Sequence, residues 1–233
     1  MTESDTTPVL LIPGLACDPR MYAAQVAALG GRSVAVADHT RADDMATIAA
    51  GVLARAPARF ALCGFSMGGY IALEIMATAP ERVTRLALMD TQAGPESEEA
   101  RAARRERMQL ARAKGMRAAA ESNLAQSIHP AHMADAALVQ TIVDMAEAIG
   151  VEAFLRQAQA IIGRRDARPL LPRISVPTLV LVGDRDALTP PARAREMADA
   201  IAGASLVVVP ESGHMTTLEQ PQAVNAALLD FLG

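Results

Sequence analysis

Phe60-Ala61-Leu62-Cys63-Gly64-Phe65-Ser66-Met67-Gly68-Gly69-Tyr70-Ile71-Ala72-Leu73 is the stretch on which the reading of this chain turns. Residues 60–63 form a short apolar run with no polar alternation, which predicts a strand buried on both faces. The run after Gly68 keeps a helical period through residue 79. Between them lies G-x-S-x-G, a strand–turn–helix junction that lifts a serine hydroxyl above a sheet at a helix N-terminus. Only glycine fits the crowded places at 64 and 68, and the backbone N–H groups of such a turn can stabilise an oxyanion. A phosphate-binding turn is the competing reading. The chain lacks both G-x-G-x-x-G and G-K-[ST] spacing here, so nucleotide binding is poorly supported.

Working outward, five more runs of the same kind appear: 9–12, 33–37, 86–89, 178–182 and 206–209. Helix-period segments at 20–29, 44–56, 68–79, 192–201 and 220–231 separate them. This alternation predicts an α/β fold, a doubly wound and mostly parallel sheet of about six strands. The regularity breaks once. Residues 91–172 contain no convincing strand, and they are too many for an ordinary connection. They predict an inserted helical cap over a core made of 1–90 and 173–233. Within the cap, the Glu- and Arg-rich stretch Glu96–Lys114 reads as a solvated helix face. Ala134–Ile149 and Glu152–Ile162 read as more amphipathic helices.

Composition sets the outer bounds. The chain has 233 residues, 51% hydrophobic and 21% charged, with material for a full core. A net charge of −4 opposes nucleic acid as the main partner, because phosphate binding needs a basic field. Aromatics are only 3% and Trp is absent, which removes the flat surfaces that bases and sugars stack on. The start Met1-Thr2-Glu3-Ser4-Asp5 carries acid where a secretory signal carries Lys or Arg, and no stretch reaches the length of a membrane span. Cys17 and Cys63 form neither a disulfide framework nor a zinc pattern. These features predict a cytoplasmic protein with two free thiols and no membrane association. Nothing in them calls for a cofactor or a metal, and oligomeric state is not legible.

A serine nucleophile needs a base, and the base needs an acid to orient it. Of four histidines, His214 is the candidate base: it follows the sixth strand in Ser212-Gly213-His214-Met215, at the ligand-binding end of a parallel sheet. His39 follows the second strand and has no acid partner in the right order. His129 and His132 with Asp135 carry a loose metal-like spacing, which Pro130 interrupts. For the acid, Asp184 and Asp186 share the loop after the fifth strand, and Asp90 ends the fourth. Gly183 with an Asx residue beside it suits a turn at Asp184. Asp186 then lies further out, free to reach the histidine. An oxyanion hole would take one N–H from Met67 and one from Leu15, in the Pro13-Gly14-Leu15 loop after the first strand.

These motifs together resemble the α/β-hydrolase superfamily over nearly the whole chain, and within it the compact carboxylesterase and enol-lactonase-like group. The resemblance implies Ser66 as nucleophile, Asp186 as acid, His214 as base, and Leu15 and Met67 as oxyanion donors. It also implies a small ester, thioester or lactone as substrate. Two departures stand out. The oxyanion loop reads Pro13-Gly14 where many relatives have His-Gly, so its support must differ. The first run is already a buried parallel strand, giving about six strands rather than eight. A dehalogenase would need a carboxylate at position 66. A perhydrolase would use the same triad, and a noncatalytic ligand-binding scaffold would have no need of one. Leu124, Ile128, Leu138, Ile142, Met145, Phe154 and Ile161 are candidates for an apolar ceiling over a small acyl pocket.

Overall fold

The computed structural model describes residues 7–233; Met1–Thr6 lie outside the described residues, and the reading of the acidic start falls there. Among the described residues six strands form one sheet: β1 (Val9–Ile12), β2 (Val34–Val36), β3 (Phe60–Phe65), β4 (Val83–Met89), β5 (Thr178–Gly183) and β6 (Ser205–Val209). Their order is β2-β1-β3-β4-β5-β6, and every neighbouring pair is parallel. The helices are α1 (Ala23–Ala28), α2 (Met45–Leu53), α3 (Met67–Thr78), α4 (Glu98–Glu121), α5 (Leu124–Ser127), α6 (Ala136–Ile162), α7 (Pro191–Ala200), α8 (Thr216–Glu219) and α9 (Pro221–Leu232). Among the described residues no helix is long and apolar enough to cross a membrane.

Alternate residues of each strand point to opposite faces, and here both faces are covered. Leu10, Ile12, Leu62, Leu88 and Val180 pack with α2, α3 and α7 on one side. Val9, Leu11, Cys63, Met89 and Leu181 pack with Tyr22 and Leu29, which flank α1, and with residues of α9 on the other. That is why the central runs show no alternation. β1, β3 and β5 are buried along their whole length. The expectation of burial on both faces fails at the edges: β2 is half-exposed, and Val208 of β6 is open to solvent. An edge strand lies where the helical cover runs out.

The segment between β4 and β5 contains helices and connecting loops but no strand. Its helices α4 and α6 pack on each other through Met108, Ala111, Met116 and Ala119 against Ala146, Phe154, Leu155 and Ala158, a cluster separate from the two sheet cores. Caps set where both helices begin: Ser97 Oγ accepts from Ala100 N–H, and Asp135 accepts from Ala137 and Leu138 N–H. Each helix is broken once, at Gly115 and at Gly150. The reading of Glu96–Lys114 as a solvated face holds for Glu98, Glu99, Arg105, Glu106, Arg112 and Lys114, which are exposed, and needs correction for the other side of the helix. Ala100, Ala103, Arg104, Arg107 and Leu110, spaced three and four apart, line a cavity that is partly open to solvent, and Glu96 is buried. Charge density alone does not say which side of a helix meets solvent.

Candidate active site

Ser66 sits between β3 and α3 with φ 52° and ψ −113°. This is a left-handed conformation for a residue with a Cβ, worth about 1–3 kcal/mol of strain. The burial of Met67, Ile71 and Ile75, all fully covered, offsets it, since each such side chain contributes roughly 1.5–3 kcal/mol. The backbone is pinned on both sides: Ser66 N–H donates to Met89 O at 2.9 Å, and Thr91 Oγ1 donates to Ser66 O at 2.8 Å. A Cβ at Gly64 would run into the carbonyl of Gly68, and one at Gly68 into that of Ile12. The glycine spacing is a packing requirement of the turn.

Three loops at the same end of the sheet converge on this serine. His214 Nε2 lies 2.9 Å from Ser66 Oγ, and His214 Nδ1 lies 2.8 Å from Asp186 Oδ2. A carboxylate accepts only, so the Nδ1–H donates to Asp186 and Nε2 is left to accept from the serine hydroxyl. Asp186 Oδ1 accepts from Leu188 N–H at 2.8 Å and Thr189 N–H at 2.9 Å, and Thr189 Oγ1 donates to Oδ2 at 2.7 Å. Burial pushes the Asp186 carboxyl up, but the attraction and hydrogen bond of His214, together with the Thr189 donors, outweigh it and hold it below the usual range. The other two aspartates do different work. Asp184 Oδ1 accepts from Ser212 N–H at 3.1 Å, tying the two loops together. Asp90 is fully buried, accepts from Gly183 N–H at 3.0 Å and from the Thr216 hydroxyl, and burial beside Asp186 pushes its carboxyl well up.

The loop after β1 lies against the elbow. Among the described residues, neither the Leu15 nor the Met67 N–H is taken by an acceptor, and Met67, as the first residue of α3, has no partner inside its helix. Ala16 takes φ 58°, and its N–H donates to Gln157 Oε1 at 3.1 Å. His39 Nε2 lies 3.0 Å from Gly14 O and 3.0 Å from Gln157 Nε2. One ring nitrogen thus faces an acceptor and a donor, and its proton decides which contact is the hydrogen bond. Burial holds the His39 imidazole neutral by pushing its pKa down. His39 is therefore placed behind the loop after β1, bonded to Gly14 and Gln157 and not to the serine. With Gln157 of α6 it supplies the support that the Pro13-Gly14 loop requires.

The family model described as serine aminopeptidase, S33, matches residues 10–221. The chain belongs to this family of α/β-hydrolases. It is 31% identical over 195 residues to a Mycobacterium tuberculosis protein named as a non-heme bromoperoxidase, BpoC, a match spanning 76% of this chain and 68% of that one. It is 30% identical to the malate-bound thermophilic esterase from Thermogutta terrifontis, with TM-score 0.88 over 97% of this chain and 89% of that one. The enol-lactonase from Burkholderia xenovorans LB400 is 29% identical, with TM-score 0.85 over 100% of this chain and 93% of that one.

In this hydrolase, Ser66 and His214 open into a cavity of about 470 Å³ that also meets Leu15, Cys17, Phe65, Thr189 and the helices α4 and α6. Of the residues expected to form a ceiling, Leu124, Ile142, Phe154 and Ile161 line it. Met145 joins the sheet core instead, and Ile128 is buried outside the cavity lining. The histidines at 129 and 132 are not brought together with Asp135, which caps α6. The buried Glu219 accepts from His129 N–H at 2.7 Å, Gly213 N–H at 3.0 Å and Met215 N–H at 3.1 Å, and it lies 3.0 Å from His132 Nδ1. His214 N–H donates to Ser127 O at 3.0 Å. Glu219 and Ser127 thus fix the histidine loop against the helical segment. Asp90, Asp186 and His214 cluster within 4.8 Å, with the hydrogen bonds already described. Cys17 and Cys63 are free and buried, and burial raises both thiols to about 12. Such thiols are poor nucleophiles.

Sequence reasoning missed Thr189, Glu219, Ser127 and Gln157. Thr189 carried a usable signal, three residues beyond Asp186 in the same loop. Gln157 carried none, because 141 residues separate it from Ala16.

Proposed function

We propose that this hydrolase cleaves small carboxylic esters, thioesters or lactones through an acyl-enzyme on Ser66. The unbroken hydrogen-bond chain Ser66–His214–Asp186, opening into a cavity, carries the reading. Ser66 Oγ attacks the carbonyl carbon while His214 Nε2 takes its proton. Asp186 holds the tautomer and stabilises the imidazolium. The Leu15 and Met67 N–H groups receive the developing oxyanion. His214 returns the proton to the leaving oxygen or sulfur, and water, activated by the same imidazole, then releases the acid. No step calls for a cofactor. Residues 91–172 serve as the cap that shields these steps from bulk water, over a core of 1–90 and 173–233.

Labelling with a fluorophosphonate followed by peptide mapping tests this. The adduct is expected on Ser66, and Ser66→Ala should lose at least about three orders of magnitude in kcat on p-nitrophenyl butyrate. Absence of labelling together with unchanged hydrolysis in Ser66→Ala would reject the triad, and absence of both activities would favour a ligand-binding scaffold. The relative named as a bromoperoxidase motivates a second reading, in which hydrogen peroxide replaces water in attacking the acyl-enzyme and a peracid leaves. Peracid formation from acetate and peroxide, measured against ester hydrolysis, separates the two.

A further inference from the structure

Three guanidinium groups gather beside the catalytic cavity, and one carboxylate serves two of them. Arg104 Nε donates to Glu96 Oε1 at 3.0 Å and Oε2 at 3.1 Å, and its NH2 group also reaches Oε1. Arg164 lies 3.8 Å from the same Oε1 and donates to Ile161 O and Gly94 O. Arg107, one turn along α4 from Arg104, lines the same cavity as Ser66 and His214. Its Nε is buried without a partner. Among the described residues, Glu96 makes its ion pairs with Arg104 and Arg164 and none with Arg107. Glu106 also lines the cavity but is exposed.

Arg107 as a residue is half-buried, and a guanidinium partly withdrawn from water, with its Nε unpaired, gains from an anionic partner. Burial and the neighbouring Arg104 charge bring its pKa down to about 10, with Glu96 opposing them. The group is therefore still charged at neutral pH, and among the described residues no carboxylate forms an ion pair with it. A planar carboxylate suits this group, because it can accept two parallel hydrogen bonds from the guanidinium fork. An alcohol or an alkyl chain would leave the charge unmatched.

We propose that Arg107 binds a free carboxylate carried by the substrate in addition to the bond that is cleaved, which makes short monoesters or lactones of dicarboxylic acids the preferred class. This rests on the hydrolytic reading of Ser66 and narrows it. Arg107 is a specificity residue: it touches the substrate away from the reacting carbonyl, so its effect should fall mainly on KM.

The test compares kcat/KM for paired esters: mono-p-nitrophenyl glutarate against p-nitrophenyl valerate, and 4-carboxyphenyl butyrate against phenyl butyrate. The protein is expected to prefer the anion in at least one pair. Arg107→Met should cut that preference about 10- to 100-fold, the range for a lost charge-assisted hydrogen bond. Arg107→Lys should restore part of it. Arg105→Met, on the exposed side of the same helix, should leave it intact. No preference in either pair, or an Arg107→Met protein that slows both members equally, would overturn the proposal. Calorimetry of glutarate binding to Ser66→Ala supplies a readout without turnover, with at least a tenfold weakening expected on adding Arg107→Met. Glutarate binding through Arg107 in a protein that hydrolyses no ester would sink the hydrolytic reading alone. Ester hydrolysis through Ser66 with no carboxylate preference and no glutarate binding would sink the carboxylate site alone.

Discussion

The rim of the sheet and the helical segment between β4 and β5 build the same cavity by opposite means. At the rim, each reactive side chain follows a strand end within a few residues: Ser66 after Phe65, Asp186 after Gly183, His214 after Val209. Its position is set by a tight local turn, and its partners are the neighbouring rim loops. In the helical segment, Arg104, Arg107 and Gln157 come from the middle of long helices. What they face depends on how α4 and α6 pack through Met108, Met116, Phe154 and Leu155. The rim brings Ser66, His214 and Asp186 into one hydrogen-bonded chain, whereas the helices line the rest of the cavity and brace the loop after β1 through Gln157.

The sharpest way to break this division is at the two buried acids. Asp186→Asn should cost about 10³- to 10⁴-fold in kcat, because the amide can no longer hold the imidazole in the required tautomer. Asp90→Asn should stay within about tenfold of wild type, since Asp90 accepts from Gly183 and Thr216 rather than from His214. Steady-state kinetics on p-nitrophenyl butyrate decides, and a crippled Asp90→Asn beside a healthy Asp186→Asn would reverse the assignment.

Next in size is the bridge from α6 to the oxyanion loop. Gln157→Ala frees Ala16 N–H and loosens the loop that presents Leu15. Removing an oxyanion donor outright costs about 10²- to 10³-fold. Loosening one should cost about 10-fold, in kcat more than in KM. An unchanged kcat would mean that the rim holds its own loop without the helices.

Acyl length gives a smaller, graded effect. A buried methylene is worth about 0.8 kcal/mol, roughly fourfold in kcat/KM. In a cavity of about 470 Å³ that gain should stop at short chains. A series of p-nitrophenyl esters measures it, and a steady rise out to C12–C16 would show that the helical ceiling does not close the pocket.

The smallest effect expected is on stability. His39 is buried and its pKa is depressed, so between the folded and unfolded values the unfolded chain binds more protons. The stability associated with the neutral ring is present above about pH 6.5, the unperturbed value, and is lost as pH falls through that window. Denaturant titrations at pH 7 and pH 5 should show wild type losing more stability than His39→Gln. Equal losses would show that His39 does not titrate on unfolding.

What could be read in the chain without coordinates follows from the range of the forces involved. Continuous apolar runs announced strands covered on both faces. Gly64-Phe65-Ser66-Met67-Gly68 announced a turn whose crowding admits no side chain at two places. The loops holding Asp186 and His214 were placed by the strand ends before them. All of these depend on a few adjacent residues. The fold class was therefore present in the sequence, as were Ser66, Asp186 and His214 as candidates, and the distances show that these three lie in one hydrogen-bonded chain while Asp90 and Asp184 bond elsewhere. The tertiary structure alone decided the rest. It turned the Arg104–Arg107 face of a charge-rich helix inward, carried Gln157 across 141 residues to Ala16, and put His39 behind the loop after β1, bonded to Gly14 and Gln157 and not to the serine. A helix period says which residues share a face but not what that face meets, because the rotation of α4 and α6 is set by long-range packing.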